Sequence, residues 1–373
     1  MIYLDCAATS LQKPRGVAEA AARAVGTLAS PGRGGHPPAR LAAETAWKCR
    51  LLAAELFNAP GPEDVVFTMN ATHGLNIALG SLVSPGGRAV VSGWEHNAVI
   101  RPLHALGAEI DVVRTPLFDA AAALEGFKSR IPGAECCVCT HVSNVFGFVL
   151  PVYEIAGICR ENGVPFVLDA SQSAGALDVD AKRLGAAFIA MPGHKGLLGP
   201  QGTGLLICSA GAKPLMAGGT GSESRSRLMP EYLPDRLEAG THNMPGIAGL
   251  LAGMEYVKRL GLPAIARRER ALTRALGERL SALPGLEVFL SERPEAQAGV
   301  LSVRSGAMGC EELAEALARR GVCTRAGLHC APLAHESAGT LESGTVRFSV
   351  SPFNTPQELK TAAGILARCL RAG

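Results

Sequence analysis

His194 and Lys195 sit in the stretch MPGHKGLLGPQGTG, residues 191–204, directly after the apolar run AAFIAM. A lysine amine is a nucleophile only when neutral, and partial burial lowers its pKa. A strand-end lysine held among glycines therefore suits Schiff-base chemistry with an aldehyde cofactor. Other chemistry-bearing residues follow similar apolar runs. Asn70, Thr72 and His73 follow DVVFT, and Glu95, His96 and Asn97 follow RAVVS. Ser143 and Asn144 follow CCVCTHV, and Asp169 closes PFVLD with Ser171 and Gln172 just beyond. An aspartate on a neighbouring strand end would keep a pyridinium nitrogen protonated, which makes pyridoxal phosphate a strong electron sink. A helix start at Thr72 and His73 offers free N–H groups to a phosphate. The His96 imidazole has the shape to stack on a flat ring. Each residue alone has an ordinary reading: a solvated lysine, an N-cap aspartate, a turn. Together they converge as a lysine, an aspartate, a histidine and a phosphate cradle.

The elements that must position them are legible as a pattern. Short apolar strands alternate with amphipathic helices from DVVFT to GTGLLIC, which indicates a mainly parallel sheet covered on both faces. Ligands of such sheets bind outside the carboxyl ends of the strands. Helices are expected over 17–29 and 40–57, separated by the glycine- and proline-rich loop SPGRGGHPP. After residue 245 the texture becomes α+β: long helices at 246–261 and 264–283, strands LEVFL, AGVLSVR and TVRFSVS, a helix at 310–321 and a terminal helix from Pro356. The expected organisation is a large unit, 15–245, and a small α+β unit, 1–14 with 246–373.

Composition narrows the function classes. With 47% hydrophobic and 18% charged residues, the chain is globular and core-rich. A formal net charge of +3 without like-charge blocks gives no reason to expect nucleic acid or a membrane surface as partner. The apolar runs are too short to span a bilayer. The 11 cysteines form no paired Cys-x-x-Cys framework, and nothing like a secretory leader precedes YLDCAATS, so a reduced, cytoplasmic protein is expected. ECCVC, residues 135–139, lies along a buried strand whose alternate side chains face opposite ways, so no metal site is expected there.

Taken in order, these motifs make the chain resemble the fold-type I pyridoxal-phosphate enzymes of the class V aminotransferase group. Within it the chain is similar to the cysteine desulfurase and selenocysteine lyase family. The resemblance rests on YLDCAATS, NATHGLNIAL, EHNA, HVSNVFGFVLPV, LDASQSAGALDVD, GHKGLLGPQGTG and LEAGTHN. It implies a seven-stranded sheet of the aspartate aminotransferase-like type with a smaller α+β domain. It also implies the cofactor pyridoxal 5'-phosphate, with Lys195 as the Schiff-base lysine, Asp169 beneath the pyridine nitrogen and His96 stacked on the ring. Gln172, helped by Asn144, would address the ring hydroxyl and substrate. Thr72, His73 and His194 would hold the phosphate, and Thr220 in GGTGSES would complete the site of the other subunit in a homodimer. Such proteins carry a hydroxyl residue two positions before the histidine–lysine pair; here it is Pro192.

The segment CTRAGLHCAPLAH, 323–335, resembles the short catalytic loop of the desulfurases. Cys330 is then the sulfur acceptor, with a neighbouring imidazolium expected to favour its thiolate. The family pattern has two histidines before that cysteine; Leu328 replaces the first. Arg347 stands where the family binds the substrate carboxylate, a task that suits a bidentate guanidinium. Arg325 and His36 are weaker substrate candidates. The implied reaction turns L-cysteine into L-alanine and leaves a persulfide on Cys330, which an unidentified acceptor protein would discharge, for instance in iron–sulfur assembly. Selenocysteine cleavage, or an epimerase or aminotransferase reaction that does not use Cys330, are the alternatives.

Overall fold

The structure, a computed structural model, describes residues 1–32, 34–209 and 211–372; Arg33, within the loop expected at 30–38, Ala210 and Gly373 lie outside the described residues. The chain opens with β1 (Ile2–Tyr3), α1 (Arg15–Thr27) and α2 (Pro37–Leu56). It continues with β2 (Val65–Thr68), α3 (Ala71–Leu82), β3 (Arg88–Ser92), α4 (Asn97–Ala105), β4 (Glu109–Val113), α5 (Ala120–Arg130) and β5 (Cys136–Thr140). Next come α6 (Val152–Glu161), β6 (Phe166–Asp169), α7 (Ala181–Leu184), β7 (Phe188–Pro192) and β8 (Gly204–Cys208). These strands form a seven-stranded sheet of order β2-β8-β7-β6-β5-β3-β4, parallel except where β8 runs against both of its neighbours.

Every residue of β5, β6, β7 and β8 is buried, the condition for unbroken apolar strands in a sheet covered on both faces. One face packs on Phe57, Trp94, Phe127 and Phe146, the other on Leu75, Ile77, Val99 and Leu103. The β5 cysteines 136, 137 and 139 are buried free thiols within this packing. Side-chain caps fix the helix starts after the strands: Asn70 Oδ1 accepts from His73 N–H at 2.9 Å, and Asp119 Oδ1 accepts from Ala122 N–H at 2.9 Å.

The remainder is α8 (Met244–Leu260), α9 (Leu262–Ser281), β9 (Leu286–Val288), β10 (Val300–Ser305), α10 (Cys310–Ala318), β11 (Val322–Cys323), β12 (Arg325–Gly327), α11 (Pro332–Ser337), β13 (Thr345–Ser349) and α12 (Pro356–Ala372). β12, β13, β10 and β9 make an antiparallel sheet, and β1 pairs in parallel with β11, so the two chain ends share one small unit. Its core joins Leu4 to Leu272, Leu276, Leu317, Phe348 and Leu366. Met244, Ile247, Leu250 and Met254 of α8 belong instead to the core of the large sheet. α8 buries its apolar face against α1 and α2 and so packs with the large sheet. No helix among the described residues is long and apolar enough to cross a membrane.

Candidate active site

A cavity of about 300 Å³ lies where the carboxyl ends of β2, β3, β5, β6 and β7 meet the small unit. Thr72, His96, Asn144, Asp169, Gln172, His194, Lys195, Arg325 and Arg347, all expected from the sequence, line it. The parallel sheet explains this convergence, since its strand ends deliver side chains from distant segments to one edge.

Lys195 follows β7 in the glycine loop. Burial depresses its amine to about 8, opposed by the nearby Asp169 carboxylate and assisted by Arg347 and Arg325. Asp169 is buried at the end of β6, and its Oδ1 accepts the Ser171 N–H at 2.9 Å. His96 caps α4, its Nδ1 accepting from Ala98 N–H at 3.0 Å, and burial pushes it down to about 4, so the ring is neutral. His194 is likewise pushed down to about 4, chiefly by burial, and its Nδ1 lies 3.0 Å from Thr9 Oγ1. At the N-terminus of α3 the His73 N–H is taken by the Asn70 cap, whereas the N–H groups of Ala71 and Thr72 have no hydrogen-bond partner among the described residues.

Arg347 crosses from β13 of the small unit and is 1% exposed. Its Nη1 donates to Asn144 O at 2.9 Å and its Nη2 to Asp5 Oδ1 at 2.8 Å, while its buried Nε has no partner among the described residues. Asn144 Nδ2 in turn donates to His329 O at 2.8 Å, tying the strand end to the loop that carries Cys330.

Cys330 is exposed and does not itself line the cavity, but Arg325 and His329 on either side of the loop do. Arg325 Nη2 lies 3.5 Å from Cys330 Sγ. The expectation of an imidazolium beside the thiol is corrected: burial, then Arg347, drive His329 down to about 2, and its Nδ1 lies 3.4 Å from Nε2 of the buried His335. The positive charge beside the sulfur belongs to Arg325. Leu328 is exposed on this loop, and Pro192 lines the cavity without a hydroxyl.

Two expected residues, His73 and His36, are not brought here, and Thr220 is expected at the site of the other subunit rather than this one. His73 turns into a separate cavity of about 330 Å³, with its Nδ1 accepting from Met69 N–H and its Nε2 unpartnered among the described residues. His36 is exposed at the start of α2, where its Nδ1 accepts from Ala39 N–H at 3.4 Å. Thr220 lies in the 217–230 loop, 2.9 Å from Ser222 Oγ. Sequence reasoning gave no role to Thr140 or Ala7, both of which line the cavity, nor to Asp5, which grips Arg347. YLDCAATS carried the signal for Asp5, but nothing local said that its partner lies at the other end of the chain.

The aminotransferase class-V family pattern matches residues 2–361. This chain belongs to the aminotransferase class-V family. It is 33% identical to a probable cysteine desulfurase of Methanothermobacter thermautotrophicus, over 96% of this chain and 92% of that protein. It is also 33% identical to a cysteine desulfurase of Klebsiella pneumoniae, over 98% and 92%. Among solved structures it resembles the apo cysteine desulfurase of Thermococcus onnurineus NA1, with a TM-score of 0.92, 30% identity, and coverage of 100% of this chain and 95% of that one.

Class-V aminotransferases use pyridoxal 5'-phosphate. The residues present fit that group. An amine near neutrality, a buried carboxylate and a neutral imidazole border one cavity, and two unpartnered N–H groups at a helix N-terminus suit its phosphate.

Proposed function

We propose that this protein is a pyridoxal-phosphate-dependent cysteine desulfurase that converts L-cysteine to L-alanine and takes the sulfur onto Cys330 as a persulfide. The observation that carries the reading is the exposed Cys330 on a loop whose Arg325 and His329 line the same cavity as Lys195 and Asp169. Its relatives of that name, in full-length alignment, support it.

Lys195 would hold the cofactor, Asp169 would lie beneath its ring nitrogen, His96 would stack on it, and the α3 N-terminus with Thr72 and His194 would take its phosphate. When bound, the cofactor withdraws electrons from the substrate's α-carbon. Arg347 binds the substrate carboxylate and orients it, with Asp5 and Asn144 fixing the guanidinium. Lys195 Nζ, depressed towards neutrality, accepts the α-proton and returns it. Cys330 Sγ attacks the substrate sulfur: an S–S bond forms, the Cβ–S bond breaks, its electron pair stays with carbon, and a proton completes the methyl group of alanine. The exposure of Cys330 suits delivery of that sulfur to an acceptor protein.

We place the protein in the cytoplasm on its 11 free cysteines, and read it as a homodimer in which the Thr220 loop meets the partner's site. Light scattering of the holoprotein tests the dimer. Mass spectrometry after addition of L-cysteine tests the reaction: alanine should accumulate with one extra sulfur on Cys330. A Cys330→Ala variant that desulfurates at the wild-type rate overturns it.

A further inference from the structure

We infer that His335, fixed by Thr340, is a positioning residue that sets the Cys330 loop through the ring of His329. The inference rests on the desulfurase reading above, which gives Cys330 its task. Three side chains make the link. His329 Nε2 lies 3.2 Å from Arg325 O, His329 Nδ1 lies 3.4 Å from His335 Nε2, and His335 Nδ1 lies 2.7 Å from Thr340 Oγ1. All three residues are buried. The two rings are inclined by only 12°, with centroids 5.6 Å apart.

The direction of the chain follows from its end. A backbone carbonyl only accepts, so His329 Nε2 carries the proton. Burial pushes His329 down to about 2 and His335 down to about 4, so each neutral ring has one N–H and one acceptor nitrogen. His329 Nδ1 therefore accepts from His335 Nε2–H, and His335 Nδ1 accepts from the Thr340 hydroxyl. Both nitrogens of both rings are paired, in a place where water is not at hand to replace a lost partner. Thr340 is itself held: its N–H donates to His335 O at 2.8 Å, and its carbonyl accepts from Gly344 N–H at 2.9 Å, just before β13.

The loop needs such an anchor. His329 and Cys330 both have left-handed backbone, φ 51° and 57°, which non-glycine residues keep only when their surroundings hold them there. Asn144 and Asn97 hold the loop from the large unit, through His329 O and Cys330 O. The histidine chain holds it from the small unit. It also grips the carbonyl of Arg325, whose Nη2 faces Cys330 Sγ at 3.5 Å. Loss of the His335 N–H frees the His329 ring, and with it the alignment of guanidinium and sulfur.

Two substitutions separate this role from plain packing. His335→Phe keeps a ring against Phe146 and removes both hydrogen bonds. His335→Gln gives up the ring but retains an amide N–H that can reach His329. In the holoprotein, His335→Phe should lower kcat for alanine release and the rate of iodoacetamide alkylation of Cys330 by about 10-fold. KM for L-cysteine and the visible absorption of the bound cofactor should not change. His335→Gln should recover part of both rates. Wild-type rates in His335→Phe, or a His335→Gln variant slower than His335→Phe, overturn the proposal. Should His335→Phe fail to fold, Thr340→Val deletes one hydroxyl at nearly constant shape and should slow both rates; rates equal to wild type overturn the proposal there too. A wild-type holoprotein that makes no alanine from L-cysteine overturns the desulfurase reading instead, and the alkylation rates then still decide whether His335 positions the thiol.

Discussion

Arg325 Nη2 stands 3.5 Å from Cys330 Sγ, and the histidine next to that cysteine faces the other way, into a buried stack with His335. The loop thus places a guanidinium beside the sulfur, where it can favour the thiolate. The left-handed backbone at His329 (φ 51°) and Cys330 (φ 57°) holds this arrangement. It is secured by Asn97 N–H donating to Cys330 O at 2.7 Å and by the Asn144 contact to His329 O. Arg325→Leu should therefore slow both iodoacetamide alkylation of Cys330 and persulfide formation by about 10-fold or more, the worth of one charge-assisted contact. Arg325→Lys should recover part of the alkylation rate. Equal alkylation rates in wild type and Arg325→Leu would remove Arg325 from this role.

Lys195→Ala should abolish the visible absorption that pyridoxal phosphate acquires when held covalently, while leaving weaker, dialysable binding through the phosphate site. Titrating the absorption of wild type near pH 8, where burial places the free amine, should show attachment slowing below that pH as the amine protonates. A variant whose absorption matches the wild type refutes the assignment.

Much of this site was readable from apolar runs and the residues after them, because a buried parallel strand advertises itself and its end is where ligands bind. What local pattern could not supply was the other half of the cavity. β1 and β11 are two residues each and pair across the whole chain length, so no periodicity marks them. α5 went unread because its run of alanines shows little amphipathic contrast, with only Ala123 and Phe127 buried. The charge state of His329 depends on burial by segments far away in sequence.

Asp5 is a testable member of that long-range half. It pairs with Arg347, whose side chain is 1% exposed, so its removal leaves a buried cation uncompensated. Asp5→Ala should cost about 3 kcal/mol of stability in denaturant unfolding. A ligand carboxylate should restore part of the loss, so L-alanine should raise the melting temperature of Asp5→Ala more than that of wild type. Equal shifts would show that Asp5 and the substrate carboxylate do not share the guanidinium.

Glu95 gives the fold a pH dependence of predictable sign. It is fully buried, its Oε1 accepting from the Ser92 hydroxyl and, at 2.7 Å, from Thr140 N–H, while its Oε2 has no partner among the described residues. Burial, with Asp169 nearby, raises it from 4.5 to about 8. Between those values the folded chain holds a proton that the unfolded chain has released. The stability this proton confers is therefore complete below about pH 4.5 and is lost as pH rises to about 8. Glu95→Gln mimics the neutral acid and has no proton to lose. Its stability relative to wild type should thus improve by a few kcal/mol between pH 5 and pH 8, at about 1.4 kcal/mol per unit. Urea unfolding of both proteins at the two pH values measures the difference, in which titrations common to both cancel. A difference that stays constant would mean that Glu95 is ionised in the folded protein.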